Sequence, residues 1–472
     1  MIDRRELLAS AGNLGLLPNV VEKDYVLGWL LAGIYNHPAL KDSWVFKGGT
    51  CLKKCYFETY RFSEDLDFTL PDASHLNIDF LTTTFREIGE WVYEQTGIEM
   101  PPDKVSFEVF RNRRDRPAGQ GKISYRGPIA PTSGDLPRIK LDLTGDELLV
   151  LPPVSRPVSH PYSDNPVGGI YARCYSYEEV FAEKVRALSE RARPRDLYDV
   201  INLFRHDEFH PAAQVIHDTL SKKCAFKGIP FPTLAALAAF REEIEADWVV
   251  MLNHQLPALP PVDAFWGELP TLFAWLAEGR QPIALAAYAM AAGDVVIRPP
   301  AGAISIPGMA SSAPIEVIRF AASNRLCVEL DYVDERGNRG VRLIEPYSMR
   351  RTQAGDIILH ALRADSKAHR SYRVNRIRGA RATNQTFTPS YAIELTPMGP
   401  ISVPPTSILP RIALTRSPRT SGAGHTGPTY VYECSRCNKR FEHSKRDATL
   451  RAHKSPSGSP CSGRHGIWVD TK

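Results

Sequence analysis

The stretch that decides the fold is FKGGTCLKKCYFETYRFSEDLDF, residues 46–68. An apolar strand candidate leads into a Gly-Gly-Thr turn at residues 48–50, a helix is expected to start near Cys51, and a strand carrying Asp65 and Asp67 follows. Backbone N–H groups at such a turn can hold phosphate oxygens. Side chains two apart on a strand share a face, so the two carboxylates should project together.

A third acid lies in the alternating segment RIKLDL, residues 138–143. Asp142 would join the pair if its strand lies beside the strand of Asp65 and Asp67. Adjacent carboxylates resist joint ionisation, and a hard divalent cation such as Mg²⁺ removes that cost. Three carboxylates, two magnesium ions and a phosphate-binding turn suit nucleotidyl transfer, in which one metal activates the attacking hydroxyl and the other neutralises pyrophosphate.

Apolar periodicity predicts a mixed α+β fold for the large N-terminal region. Residues 22–35 are expected to form a buried helix. A second helix is predicted over residues 176–191, where Ser176 followed by Glu179 forms a capping box. Helical spacing resumes after Pro194.

The combined motifs resemble the AbiEii-type nucleotidyltransferase toxins, a branch of the DNA polymerase β-like superfamily. FKGGT (46–50) and RFSEDLDF (61–68) carry the resemblance, and EKDY (22–25), Glu183 with Lys184, and RDLYD (195–199) extend it over roughly residues 15–275. It implies a mixed-sheet nucleotidyltransferase core with a helical C-terminal half. It also implies NTP-dependent nucleotide transfer, for some members onto tRNA 3′ ends, in a toxin–antitoxin or phage-defence setting with a possible cognate antitoxin.

Roles follow for individual residues. The catalytic candidates are Asp65, Asp67, Asp142, Lys184 and Asp196; the nucleotide-binding candidates are Gly48, Gly49, Thr50, Ser63 and Lys184. Asp65, Asp67 and Asp142 are the candidate Mg²⁺ ligands, and Asp142 is also the candidate base. Lys184 would reach the triphosphate as a point charge, unless it only lies on a solvated helix face. Asp196 and Asp199, three residues apart, could instead pair with Lys184 or Arg195.

Charge divides the chain of 472 residues into two parts. Residues 1–312 carry −8 and residues 313–472 carry +13, which together give the net charge of +5. A basic C-terminal third predicts contact with a polyanion, although a basic soluble module without such a partner is the alternative. The sequence has no apolar run long enough to span a membrane and no recognisable signal peptide, so a cytoplasmic location is expected.

Composition places the boundaries of five segments. We expect a nucleotidyltransferase domain at 1–280, an Ala/Gly/Pro-rich linker at 281–312, a small β domain at 313–396, a flexible linker at 397–429, and a zinc finger at 430–472. Residues 315–380 alternate as strands. Within them, DY (331–332), EPY (345–347), a strand ending near Leu362, and YRVNRI (372–377) resemble WYL domains, and this resemblance implies an SH3/Sm-like barrel that binds nucleic acids or nucleotides. Ile358, Leu359 and His360 stand where the eponymous tripeptide is expected. The candidate phosphate contacts of this β domain are Arg350, Arg351, Arg370, Arg373 and Arg376. The alternative is that these arginines lie on the surface and only keep the domain soluble.

The last 43 residues, called the tail below, hold three of the eight cysteines. Cys434, Cys437, His453 and Cys461 predict a tetrahedral structural Zn²⁺ site in a hairpin followed by a helix. His443 and His465 compete with Cys461 for the fourth position. The basic residues Lys439, Arg440, Lys445, Arg446 and Arg451 would contact phosphates. The other five cysteines (51, 55, 174, 224 and 327) are expected to be buried core side chains.

Three functions remain open. The first is an enzyme that adds NMP to an RNA 3′ end, most plausibly of tRNA, with the two C-terminal modules holding the RNA. The second is nucleotidylation of a protein or small molecule. The third is a nucleic-acid-binding regulator whose transferase domain is inactive.

Overall fold

The computed structural model describes residues 1–57, 60–129, 135–206, 211–279, 313–352, 354–395, 430–443 and 447–471. The chain divides into two compact units, Met1–Ser407 and Ile408–Lys472. Both predicted linkers, 281–312 and 397–429, lie outside the described residues, and so do Lys445 and Arg446. The predicted domain boundaries therefore stay predictions.

The first unit contains helices and a large mixed sheet. Its α-helices are α1 (Arg4–Leu14), α2 (Pro18–Asn36), α3 (Gly48–Cys51), α4 (Ile78–Thr96), α5 (Tyr177–Arg191), α6 (Pro194–Arg205), α7 (Ala213–Lys227), α8 (Leu234–Ala238), α9 (Arg241–Leu252), α10 (Asp263–Trp266), α11 (Leu269–Glu278) and α12 (Ala313–Ser323). A π-helix, Leu52–Tyr56, continues α3. Within the described ranges, no helix is long and apolar enough to cross a bilayer.

Seven strands form the sheet that positions the candidate site. They are β1 (Val45–Lys47), β2 (Asp65–Thr69), β3 (Val105–Arg111), β4 (Pro117–Ser124), β5 (Arg138–Thr144), β6 (Val154–Val158) and β7 (Ile170–Cys174). Their order is β3-β4-β5-β2-β1-β7-β6, with β2 parallel to β5 and antiparallel to β1. The side chains of Leu66 and Phe68 are buried and alternate along β2 with Asp65 and Asp67. The two acids therefore point to the opposite face of the strand, away from the core. The predicted mixed α+β core is confirmed.

Local sequence signals explain the burial of α2 and the start of α5. α2 is buried along most of its length, as its apolar sequence predicts. Ser176 accepts a hydrogen bond from Glu179 N at 3.2 Å and caps α5. The Glu179 carboxylate does not complete the capping box, because it accepts N–H bonds from Val150 and Leu151 at 3.1 and 3.0 Å. The helix start is therefore tied to the loop that follows β5.

A five-stranded sheet with α12 against it follows in the same unit. Its strands are β8 (Leu326–Val333), β9 (Arg339–Arg351), β10 (Ile357–Arg363), β11 (His369–Arg373) and β12 (Ile377–Thr386), in the order β11-β10-β9-β8-β12. The pairings among the described residues do not close this sheet, so the barrel implied by the resemblance is not found. Glu268 accepts hydrogen bonds from both Arg205 of α6 and Arg325, which lies just before β8.

The second unit is β-structured in its described residues. β13 (Tyr430–Cys434), β14 (Arg440–His443) and β17 (Gly466–Thr471) form one sheet, and β15 (His453–Lys454) pairs with β16 (Pro460–Cys461). The predicted hairpin is present as β13 and β14. The predicted helix is wrong for the described tail, because His453 lies on a short strand opposite Cys461.

Candidate active site and metal cluster

The three predicted acids lie on one face of the sheet. Asp67 is the Cα partner of Asp142 across the parallel β2–β5 pair, and Asp65 is the partner of Lys140. Paired residues and residues two apart share a face, so Asp65, Asp67 and Asp142 form one group, called the acidic row below. The register thus brings together carboxylates that are more than 70 residues apart in sequence.

The glycine turn packs directly against the acidic row. Gly48 has a φ of +79°, and a Cβ at this position would lie 2.0 Å from Asp67 Oδ2. A Cβ on Gly49 would lie 2.5 Å from a guanidinium nitrogen of Arg61. Only glycine fits the backbone angle and the space at residue 48.

Thr50 and Ser63 have different surroundings. The Thr50 hydroxyl is fully buried and donates to the carbonyl of Asp65. It therefore fastens the turn to β2, and the hydrogen of its hydroxyl group is used in that bond. Ser63 is half-buried in the segment just before β2.

Burial and mutual repulsion disfavour ionisation within the acidic row. Burial raises the pKa of Asp67 to about 6; Asp142 and Asp65 add to the rise, while Lys47 and Lys184 oppose it. Burial is also the main cause that raises the pKa of Asp65, with Asp142 and Glu64 adding to it. A bound divalent cation would relieve this repulsion.

The donor chemistry of the acidic row fits a hard cation, although its oxygens do not form a closed cage. The described part of the chain contains two groups of three or more ligand atoms that all lie within 4.8 Å of one another, and neither includes these acids. Gln120 Nε2, on the neighbouring strand β4, donates to Asp142 Oδ1 at 3.2 Å and helps to hold that carboxylate in place. The carboxylates of the acidic row, which lie beside a turn with a positive φ, are the side chains of this site that suit Mg²⁺.

Lys184 is close enough to the acidic row to influence Asp67, but its ammonium group is paired with two buried acids. Its Nζ is 2.7 Å from Asp199 Oδ2 and 3.7 Å from Asp196 Oδ1. Burial alone would raise the pKa of Asp199, but Arg61 and Lys184 outweigh it and hold that pKa well below its ordinary value. The Lys184 side chain is only 9 % exposed, so the solvated-face alternative does not apply.

Asp196 and Asp199 each hold an arginine with two hydrogen bonds. Asp199 accepts from Arg61 Nε and a terminal nitrogen, both at 2.7 Å, and Asp196 accepts from Arg191 at 2.7 and 2.8 Å. Such forked pairs fix geometry as well as charge. Asp196 therefore contacts Lys184, which is one of the two partners expected from the sequence, while the arginine that it binds is Arg191.

Sequence reasoning missed the cations and acids around Lys47. Lys47 is the Cα partner of Asp67, and its Nζ lies 3.4 Å from Glu183 and 3.8 Å from Glu147. Glu183 and Glu147 also contact the fully buried Lys223, at 3.3 and 3.8 Å. The sequence signal that could have identified Lys47 as a site residue is its position directly before the glycine turn.

The tail brings together the four predicted zinc ligands. One ligand atom each of Cys434, Cys437, His453 and Cys461 lies within 4.8 Å of the others; His443 and His465 do not belong to this group. Two of the sulfurs, Cys434 and Cys461, are 3.8 Å apart, and His453 Nε2 is 3.3 Å from Cys437. His453 Nδ1 contacts the Arg451 carbonyl at 2.9 Å, which leaves Nε2 free to bind metal. Three sulfurs and one imidazole fit Zn²⁺.

The predicted arginine contacts of the five-stranded sheet are partly occupied by acids. Arg350 pairs with Glu394, Arg373 with Asp356 at 3.1 Å, and Arg376 with Glu335 at 3.3 Å. A phosphate would have to compete with these carboxylates.

Comparisons with known proteins find two family models and several solved structures that are similar to parts of this chain. Residues 29–277 match the family model of the nucleotidyl transferase AbiEii toxin of type IV toxin–antitoxin systems, and residues 314–382 match the WYL domain. MenT4, a nucleotidyltransferase toxin of Mycobacterium tuberculosis H37Rv, aligns with 59 % of this chain and 97 % of its own at 18 % identity and a TM-score of 0.32. Proteasome accessory factor B/C of Arthrobacter aurescens aligns with 33 % of this chain and 21 % of its own, at 17 % identity and a TM-score of 0.15. The comparison with curated proteins gives no match.

The AbiEii match extends over more than half of the chain and includes the glycine turn, the acidic row and Lys184. The WYL match follows it within the same compact unit. The chain belongs to the AbiEii family of nucleotidyltransferase toxins.

Proposed function

We propose that this nucleotidyltransferase transfers NMP from an NTP to the 3′ end of an RNA, with Mg²⁺, and that tRNA is the acceptor. The observation that carries the proposal is the register of Asp67 opposite Asp142, beside a turn whose Gly48 abuts Asp67. The charge of +13 on residues 313–472 supports a polyanionic acceptor. The biological setting would be a toxin–antitoxin or phage-defence system with a cognate antitoxin.

Each group near the acidic row has a separate task in this proposal. Asp65 and Asp67 hold the cation, and Asp142, the most exposed of the three, accepts the proton of the attacking hydroxyl. Bound Mg²⁺ supplies charge neutralisation for the triphosphate and a lower pKa for that hydroxyl. The backbone of residues 48–50 faces the phosphates, while Ser63 lies at the entry to β2.

Two lysines supply positive charge near Asp67. Lys47 comes from β1 and Lys184 from α5, and both act on the Asp67 carboxylate. When an NTP arrives, these cations can also attract its phosphates. Asp196 and Asp199 keep Lys184 in place, so we assign Asp196 a positioning role.

The two C-terminal modules would bind the acceptor. We propose that the tail cluster holds a structural Zn²⁺ and so orders a segment that has a small apolar core, formed around Tyr432, Cys434 and Leu450. Lys439 and Arg451 are exposed on the ordered tail and suit phosphate contacts. Arg440 pairs with Glu433 at 2.9 Å and would contribute less.

The test is incubation of the full chain with labelled NTPs, total RNA and Mg²⁺, followed by sequencing of RNA 3′ ends. Wild type and the exposed control Asp42→Asn should label RNA, and Asp67→Asn should not. Label on protein would favour nucleotidylation of a protein. Nucleic-acid binding without any transfer would favour the regulator and would refute the proposal.

A further inference from the structure

Three buried cysteines meet behind the glycine turn. One sulfur each of Cys51, Cys55 and Cys174 lies within 4.8 Å of the other two, and the three residues are 0 %, 5 % and 0 % exposed. We call them the three-cysteine cluster. In the described ranges of the chain, the other group of this kind is the tail cluster, which already has a proposed metal.

The cluster is assembled from α3, the π-helix that continues it, and β7. Cys51 is the last residue of α3, and Cys55 lies one turn further on, in the π-helix. Cys174 ends β7, where it is the Cα partner of Phe46 in β1. π-Helical segments are rare and occur often at functional sites. An ion bound to all three sulfurs would connect β7 to α3, the helix that starts at Gly48.

The spacing of the sulfurs suits a metal ion. Metal–thiolate bonds of about 2.3 Å place the sulfurs of a trigonal or tetrahedral site about 4 Å apart. Arg156 adds a positive charge beside the cluster; it donates to the Cys55 carbonyl at 2.7 Å, and its guanidinium lies 4.3 Å from the centre of the Tyr56 ring. A nearby cation favours thiolates over thiols.

The ligand set selects the kind of metal. The group contains three sulfurs and, among the described residues, neither an imidazole nor a carboxylate. Zn²⁺ prefers four ligands, whereas soft thiolate ligands in low number suit Cu(I). Hard cations such as Mg²⁺ prefer oxygen and would not compete here.

We propose that Cys51, Cys55 and Cys174 form a three-thiolate site for a soft monovalent cation of the Cu(I) type. Each thiol that binds releases its proton to water, and neither sulfur nor copper changes its oxidation state. The bound ion would fasten α3 and the π-helix that continues it to β7. The inference stands on the cluster alone and does not depend on nucleotidyl transfer.

The test measures Cu(I) uptake by the full chain under anaerobic, reducing conditions, in competition with a chromogenic Cu(I) chelator. Because the tail cysteines also bind soft metals, the measurement is made with Cys434, Cys437 and Cys461 changed to serine. This protein should bind one equivalent of Cu(I), and X-ray absorption should show three sulfur neighbours. Uptake should fall at least tenfold in Cys174→Ser. It should be unchanged in Cys224→Ser and Cys327→Ser, whose cysteines are buried but outside the cluster.

Several outcomes would overturn the proposal. Absence of uptake by the parent protein, or equal uptake by Cys174→Ser, would mean that the three thiols only fill the core. Tighter binding of Zn²⁺ than of Cu(I) would refute the proposed class of metal. The X-ray absorption measurement uses the parent protein, so it decides the question even if the cluster variants do not fold.

Discussion

Gly48 and Asp67 are in such close contact that no side chain can be placed between them. A Cβ on Gly48 would lie 2.0 Å from Asp67 Oδ2 and 2.8 Å from Asp67 Cγ. The carboxylate of Asp67 therefore occupies the space that a side chain at residue 48 would need. This contact links the two halves of the motif on which the proposed chemistry depends.

Gly48→Ala should lose activity as well as stability. The left-handed backbone alone costs about 1–2 kcal/mol for a residue with a Cβ, and the clash would also displace Asp67. A displacement of about 1 Å at a reacting group can reduce the rate about 100-fold. Transfer rates and thermal unfolding of the purified variant measure both effects.

Gly15→Ala is the matched control for that experiment. Gly15 has a φ of +67°, but nothing lies within 4 Å of an added Cβ. It should therefore lose stability to a similar backbone strain and keep its transfer rate. Equal losses of activity in the two variants would contradict a specific role for the Gly48–Asp67 contact.

Asp67→Asn should stabilise the magnesium-free protein at neutral pH while abolishing transfer. The pKa of Asp67 is about 6 in the folded protein, against about 3.9 for an unfolded chain. Between these values only the folded protein holds the proton, so wild-type stability falls as the pH rises through this window. Asparagine does not ionise and avoids the fall. The gain at pH 7.5 should reach at most about 2 kcal/mol, since partial exposure screens the repulsion.

Denaturant titrations at pH 7.5 and pH 4, without added magnesium, measure that gain. It should nearly disappear at pH 4, where the folded protein keeps Asp67 protonated and the unfolded chain is only partly ionised. A gain of the same size at both pH values would show that ionisation of Asp67 is not its source.

Asp199→Asn should destabilise the fold far more than Asp196→Asn. Asp199 is fully buried and binds Arg61 and Lys184, so its neutralisation leaves buried cations without their counter-charge. Breaking such a pair costs about 3–5 kcal/mol. Arg191, the main partner of Asp196, is 48 % exposed and can be hydrated instead. Denaturant unfolding of the two variants gives the comparison.

The dependence of folding stability on pH gives a second measurement of the role of Asp199. The pKa of Asp199 is lowered in the folded protein. Its contribution is therefore present above the pKa of the unfolded chain, about 3.9, and is lost as the pH falls below it. Equal destabilisation by the two variants at neutral pH would refute the larger role of Asp199.

Gly463→Ala should weaken metal binding by the tail. A Cβ at Gly463 would lie 2.4 Å from Cys434 Sγ and 3.4 Å from Cys461 Sγ. It would push apart two of the four ligands, so zinc affinity should fall at least tenfold in a competition with a chromogenic chelator. The exposed Ser457→Ala is the control and should bind zinc normally. Unchanged affinity in Gly463→Ala would mean that these sulfurs do not share one ion.

The acidic row shows how far sequence reasoning can reach. Period-two alternation places Asp65 and Asp67 on one face, and the structure adds that Asp142 lies opposite Asp67. The parallel register could only be assumed from sequence, because no local pattern states which strands are neighbours. Lys47 was missed for the same reason, since its ion pairs with Glu147 and Glu183 join distant elements.

The tail shows where a local pattern misleads. Leu450 three residues before His453 is typical of a helix that carries a metal-binding histidine, yet His453 lies on a strand opposite Cys461. The segment between them contains Ser455, Pro456 and Gly458, which favour a turn, and Gly458 has a φ of +89°. The ligand set could be predicted because it depends on residue types, whereas the element that carries each ligand depends on the turns between them.

The buried contacts of Asp199 also restrict how the sequence can change during evolution. Asp199 accepts hydrogen bonds from the neighbouring residues Tyr60 and Arg61 and pairs with Lys184 of α5, so it joins two separate parts of the chain. A lineage that replaced it alone would retain buried positive charge, and one that replaced Arg61 alone would retain a buried anion beside fewer partners. Divergence at these positions must therefore be concerted, and relatives should either keep the whole set or exchange it together.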